Sequence, residues 1–176
     1  YRPALRRLRL RAGEVFVETA HDAARDFVVD TPHGRARALG TRFELRLRDD
    51  ARSALAVYEG AVEVRSAGGA TTVLRAGQQT RFDRGAIETP ADADPARQAW
   101  TRGILIAQAL ALAEVVAELA RYQRGHFAVA PEVAGLRVVG SFPLHDTGRA
   151  LAMLARVLPI EVRRPLPWWT AIEAKK

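Results

Sequence analysis

The chain has 176 residues, 48% of them hydrophobic and 27% charged, with a formal net charge of +7; this is a globular composition, long enough for one ordinary domain or two small ones. It contains no cysteine, which excludes disulfide staples and thiolate metal sites. Every basic residue except Lys175 and Lys176 is an arginine, spread along the chain and dense only at Arg2, Arg6, Arg7, Arg9 and Arg11. Charge this dispersed argues against a nucleic-acid partner.

Residues 1–88 read as an all-β domain, a short sandwich or a solenoid-like stack. Leu8 and Leu10 alternate with arginines, Ala12 and Gly13 turn the chain, and Val15 and Val17 follow. A short strand covers 27–29. Phe43, Leu45 and Leu47 then alternate with Glu44, Arg46 and Arg48, the period of a half-buried strand. Asp49 and Asp50 make a turn before a strand over 55–58, and Gly60 is a tight connection to Val62 and Val64. Gly68 and Gly69 signal a hairpin into 71–74. A strand at 79–82 and Ile87 end the series. Each glycine in 34–43 (GRARALGTRF), 58–62 (YEGAV) and 75–79 (RAGQQ) sits where an alternating strand stops.

Residues 89–100, polar and carrying two prolines, read as a linker. Residues 101–176 then read as a small α+β module of two consecutive βαβ units. The predicted elements are a strand at 103–107, a helix at 110–123, a strand at 127–129, a strand at 136–142, a helix at 147–158 capped by Asp146, and a strand at 160–162. A last strand lies around 169–172. The apolar run 103–120 has spanning length, but it includes Gln108, Glu114 and Glu118. Acidic groups at mid-bilayer cost about 2.5–3.5 kcal/mol each, so the run is a strand followed by an amphipathic helix.

No constellation suggests conventional enzyme chemistry. His21, His33, His126 and His145 lack the spacing of a ligand pair, so no metal or other cofactor is expected. Ser53, Ser66 and Ser141 have no histidine–carboxylate context in the sequence, and Glu114 and Glu118 read as solvated, salt-bridging charges. Trp100 reads as a packing anchor at the domain junction. For Trp168 and Trp169, alternation buries one ring and exposes the other, and an exposed aromatic suits a partner surface.

The chain resembles the periplasmic part of FecR-type anti-sigma regulators. The resemblance rests on Phe27-Val28-Val29-Asp30-Thr31, Gly34, Leu39-Gly40-Thr41-Arg42-Phe43, Glu59-Gly60-Ala61-Val62 and Ala76-Gly77-Gln78. It continues through Trp100-Thr101-Arg102-Gly103, Arg121-Tyr122, Gly140-Ser141-Phe142 and the helix at Ala150-Leu151. Their order and spacing together carry it. It implies a membrane-anchored protein whose periplasmic module is similar to the short N-terminal domain of secretins and TonB-dependent transducers. The implied partner is the N-terminal signalling domain of a TonB-dependent outer-membrane receptor, in control of iron or siderophore uptake genes. A sigma factor would be bound by a region preceding Tyr1. Candidate partner-binding edges are Val138, Val139, Gly140, Ser141 and Phe142, and the strand 168–172 with Trp168 and Trp169. Some relatives of this type cleave themselves at the bond matching Gly40-Thr41, so the resemblance implies self-processing there as one alternative function, beside a plain glycine turn. A periplasmic glycan-binding β module, suggested by the solenoid-like reading, is another.

Overall fold

The computed structural model describes residues 5–19, 22, 25–48 and 50–175; His21 and Asp49 lie outside them. The chain divides into two compact units, Tyr1–Pro95 and Ala96–Lys176, each with a hydrophobic core of its own.

The first unit contains strands β1 (Arg6–Arg9), β2 (Glu14–Glu18), β3 (Phe27–Thr31), β4 (Gly34–Ala38) and β5 (Arg42–Arg48). Five more follow: β6 (Arg52–Glu59), β7 (Ala61–Ser66), β8 (Thr71–Arg75), β9 (Gln78–Phe82) and β10 (Ala91–Asp92). They form two five-stranded sheets, ordered β1-β3-β4-β7-β8 and β10-β9-β6-β5-β2. All pairings are antiparallel except β1 with β3. Period-two patterning turns Val29, Ala36, Val64 and Leu74 of one sheet and Phe43, Leu45, Leu55 and Phe82 of the other into one shared core. The unit is therefore a sandwich and not a solenoid, and the glycan-binding reading loses the feature that suggested it. Strand β4 is an addition to the expected series. Its Ala36 and Ala38 are buried, yet alanine has little strand propensity, so RARA does not announce a strand.

The stretch expected as a linker carries structure. Strand β10 pairs with β9, and a 3-10 helix spans Pro95–Arg102. Trp100, on that helix, packs against the core of the second unit.

The second unit comprises β11 (Ile104–Ala111), α1 (Leu112–Ala120), β12 (His126–Val129), α2 (Pro131–Ala134) and β13 (Arg137–Pro143). It ends with α3 (Thr147–Val157), β14 (Ile160–Leu166) and β15 (Trp169–Ala174). The expected strand–helix–strand order occurs twice, but neither pair of strands is hydrogen-bonded together. The leading strands β11 and β13 form a two-stranded antiparallel sheet, while β12 and β14 flank β15 in a three-stranded one. Helices α1 and α3 each pack on strands of both sheets. Leu112, Val115, Val116 and Leu119 of α1 and Leu151 and Leu154 of α3 fill the core. The run 103–120 thus divides into strand and helix, and no helix among the described residues is long and apolar enough to cross a membrane.

Candidate functional site

The bond between Gly40 and Thr41 lies where the chain crosses from β4 in one sheet to β5 in the other. Gly40 is in the left-handed region, with φ of 78°. The reverse crossing, from β6 to β7, passes directly over it through Gly60 at φ 72°. A Cβ on Gly60 would fall 2.1 Å from the Gly40 carbonyl oxygen, so only glycine lets the two backbones touch. The Thr41 N–H donates to the Thr19 carbonyl at 3.2 Å and the Thr19 N–H returns a bond to the Thr41 carbonyl at 2.9 Å. The Thr41 side chain is buried, and its Oγ1 has no hydrogen-bond partner among the described residues. A buried hydroxyl without a partner is costly, and here it belongs to the residue after a left-handed glycine.

Val138, Val139, Gly140, Ser141 and Phe142 occupy β13, which among the described residues pairs with β11 alone. Its other edge is open. Val138 and Phe142 point into the core, whereas Val139 is 76% exposed and Ser141 is exposed as well. Beside this edge runs a groove of about 360 Å³, lined by Val139 to Phe142 and by Met153, Arg156 and Val157 of α3. Val157 is itself 73% exposed. Sequence patterning identifies the strand but not the helix residues beside it, since α3 announces its core stripe and not its exposed face.

The second expected edge is corrected. Strand β15 is the centre of its sheet, paired with β12 on one side and β14 on the other, so its backbone groups are already used. Trp168 and Trp169 sit at the β14–β15 hairpin, and both rings are exposed, at 60% and 40%. The alternation argument fails because Trp168 belongs to the turn. Trp169 meets the His126 ring edge-on, with centroids 5.9 Å apart.

Ser53, which has no histidine nearby in sequence, acquires one in the fold: His33 Nδ1 lies 3.0 Å from Ser53 Oγ. Ser53 Oγ also donates to Thr31 Oγ1 at 3.2 Å, and that oxygen accepts the N–H groups of His33 and Gly34. Ser53 is completely buried, so the pair ties the β3–β4 turn to β6 and offers no face to a substrate. Glu114 likewise has a structural task, accepting the Ala111 N–H at 2.9 Å at the start of α1. Glu118 pairs with Arg121 at 2.9 Å, as expected.

The chain is thus a two-sheet sandwich followed by a module of three helices and two sheets. Two crystal structures of a candidate anti-sigma factor from Parabacteroides distasonis ATCC 8503 share this fold. One is 21% identical with a TM-score of 0.75, covering 98% of this chain and 82% of its own. The other is 20% identical with a TM-score of 0.73, covering 97% and 81%. No curated protein matches. The model of the family described as FecR protein matches residues 2–63, so the resemblance to FecR-type anti-sigma regulators holds. Regulators of this type are membrane-anchored proteins with periplasmic domains, act in sigma-factor pathways and are generally not enzymes.

Proposed function

We propose that the second unit senses the state of a TonB-dependent outer-membrane receptor by binding its N-terminal signalling domain in the periplasm. The outcome would be control of sigma-factor-dependent transcription, with iron or siderophore uptake genes as the regulated set. The observation that supports this most is the open edge of β13 beside the α3 groove. An unpaired strand edge accepts a further strand through main-chain hydrogen bonds. The adjoining Val139, Met153 and Val157 offer apolar contact for its side chains, and Arg156 a charged one at the rim. Calorimetric titration with the isolated signalling domain of the receptor encoded nearest to this protein tests the reading. Saturable one-to-one binding is expected, weakened at least tenfold by Val139→Glu with Val157→Glu. Unchanged affinity in that variant, with its fold intact by circular dichroism, would clear the groove of the role.

A second reading, self-processing at Gly40-Thr41, is favoured by the unpartnered Thr41 hydroxyl. In an N-to-O acyl shift, Thr41 Oγ1 attacks the Gly40 carbonyl carbon. The new C–O ester bond replaces the peptide C–N bond, and the hydroxyl proton ends on the freed Thr41 amine. Water then hydrolyses the ester to a Gly40 carboxylate and restores the hydroxyl. Mass spectrometry after prolonged incubation should show two fragments divided at this bond, and none from Thr41→Ala. An intact chain would sink it.

A further inference from the structure

The arginines that look scattered in the sequence converge in the fold. In the sheet β1-β3-β4-β7-β8, Leu8, Val29, Ala36 and Val64 are ladder partners that face the core. Their sequence neighbours therefore project from the opposite face. These are Arg7 and Arg9 from β1, Arg35 and Arg37 from β4, and Arg65 from β7; Arg75, beside buried Leu74, joins them from β8. The strands place Asp30 and Glu63 on that face, Glu63 directly opposite Arg37, and Asp26, just before β3, reaches Arg37 as well.

The positive charge is not neutralised internally. Asp30 is taken by Arg7 and by Arg35, the latter at 2.7 Å, and Arg37 pairs with Asp26 at 3.1 Å. Arg9, Arg65 and Arg75 have no carboxylate partner among the described residues, and Arg65 bonds to the Thr71 hydroxyl at 3.4 Å. Arg35 and Arg65 stand directly opposite one another across β4 and β7. Asp30 compensates the charge of Arg35, which leaves Arg65 as the uncompensated member of that pair.

The shape narrows the partner. The arginines form a two-dimensional array over neighbouring strands, about 4.8 Å apart, and not a track along a groove. Among the described residues no aromatic ring lies between them to stack a base, and the face offers strands with no helix for a duplex groove. Val73, 47% exposed, adds an apolar contact. At the β1 edge a cavity of about 310 Å³ opens between Arg7, Arg9, Leu10 and Arg11 on one side and the end of β3 at Asp30, Thr31 and Pro32 on the other, space for a head group whose phosphate meets the arginines. We infer that this face docks on an anionic phospholipid surface, with Arg9, Arg65 and Arg75 meeting lipid phosphates.

The test is co-sedimentation of the whole chain with vesicles of phosphatidylcholine and phosphatidylglycerol in equal parts. Binding is expected to these vesicles, to weaken with added salt, and to be absent with phosphatidylcholine alone. Arg65→Ser with Arg75→Ser should weaken it about twenty-five-fold, roughly fivefold per arginine, without altering the circular dichroism spectrum. Arg81→Ser with Arg149→Ser, off this face, should leave it unchanged. Equal binding to neutral vesicles, equal loss in the off-face variant, no loss in the on-face variant, or tighter binding to a DNA duplex at the same salt would each overturn the inference.

Discussion

Asp30 illustrates how much of this fold is set by single side chains. It lies on β3 between two strands that each supply an arginine, Arg7 from β1 and Arg35 from β4. Burial pushes its carboxyl up, but hydrogen bonds from Arg35 and Arg7, reinforced by their charge, outweigh that and hold it below the ordinary value of 3.8. A carboxyl depressed in the folded state contributes stability above its unfolded pKa and loses it as pH falls through the folded one. Asp30→Asn should therefore cost about 1–2 kcal/mol at neutral pH, the lower range for hydrogen bonds to charged groups because both arginines are half-exposed. In urea titrations the gap between variant and parent should close below about pH 4, near the unfolded carboxylate pKa. Gly60 makes the complementary case. Gly60→Ala forces an L-residue to φ 72° and a methyl onto the Gly40 carbonyl, so it should destabilise the first unit by at least about 2 kcal/mol, read as a lower urea midpoint. The sequence shows both glycines as turns; that their turns press on each other follows from two sheet crossings far apart in the chain.

Among the elements, those with strong periodicity were legible and those built from small or charged residues were not. Strands β5, β6 and β7 and helices α1 and α3 follow directly from alternation and a helical stripe. Strand β4 hides behind alanine, and the four-residue α2 is too short to show a period. Helix α1 begins at Leu112 because β11 runs on to Ala111, through a bulge at which Ala109 takes a φ of 58° and its carbonyl accepts from Arg137. Periodicity cannot place that boundary, since Leu110 is apolar in either state. The cap of α3 was readable: Asp146 accepts the Arg149 N–H at 2.8 Å. Asp146→Ala should cost about 1 kcal/mol, measured as a fall in the thermal midpoint of the second unit. The edges were half-readable. Sequence alone cannot say which strand lies at the centre, and β15 proves central because the chain's last strand inserts between β12 and β14.

At the scale of the whole molecule, the chain is two cores with two kinds of surface. The first unit presents an arginine-rich sheet face, whose clustering only the ladder registers reveal, together with the Gly40-Thr41 crossing. The second presents, among its edge strands, β13 with the α3 groove beside it. Motif order made the FecR resemblance legible, because glycine turns recur at fixed separations where the backbone demands them. The proposed partner surface was less legible, since it combines a strand edge with the exposed side of α3. The most direct test of the central claim is amide hydrogen exchange on the chain with and without the receptor's signalling domain. A strand added at the proposed site should slow exchange at β13 and at the groove side of α3 while leaving β12 and β14 unchanged. Protection confined to β12 or β14, or none anywhere in the second unit at saturating partner, would contradict it.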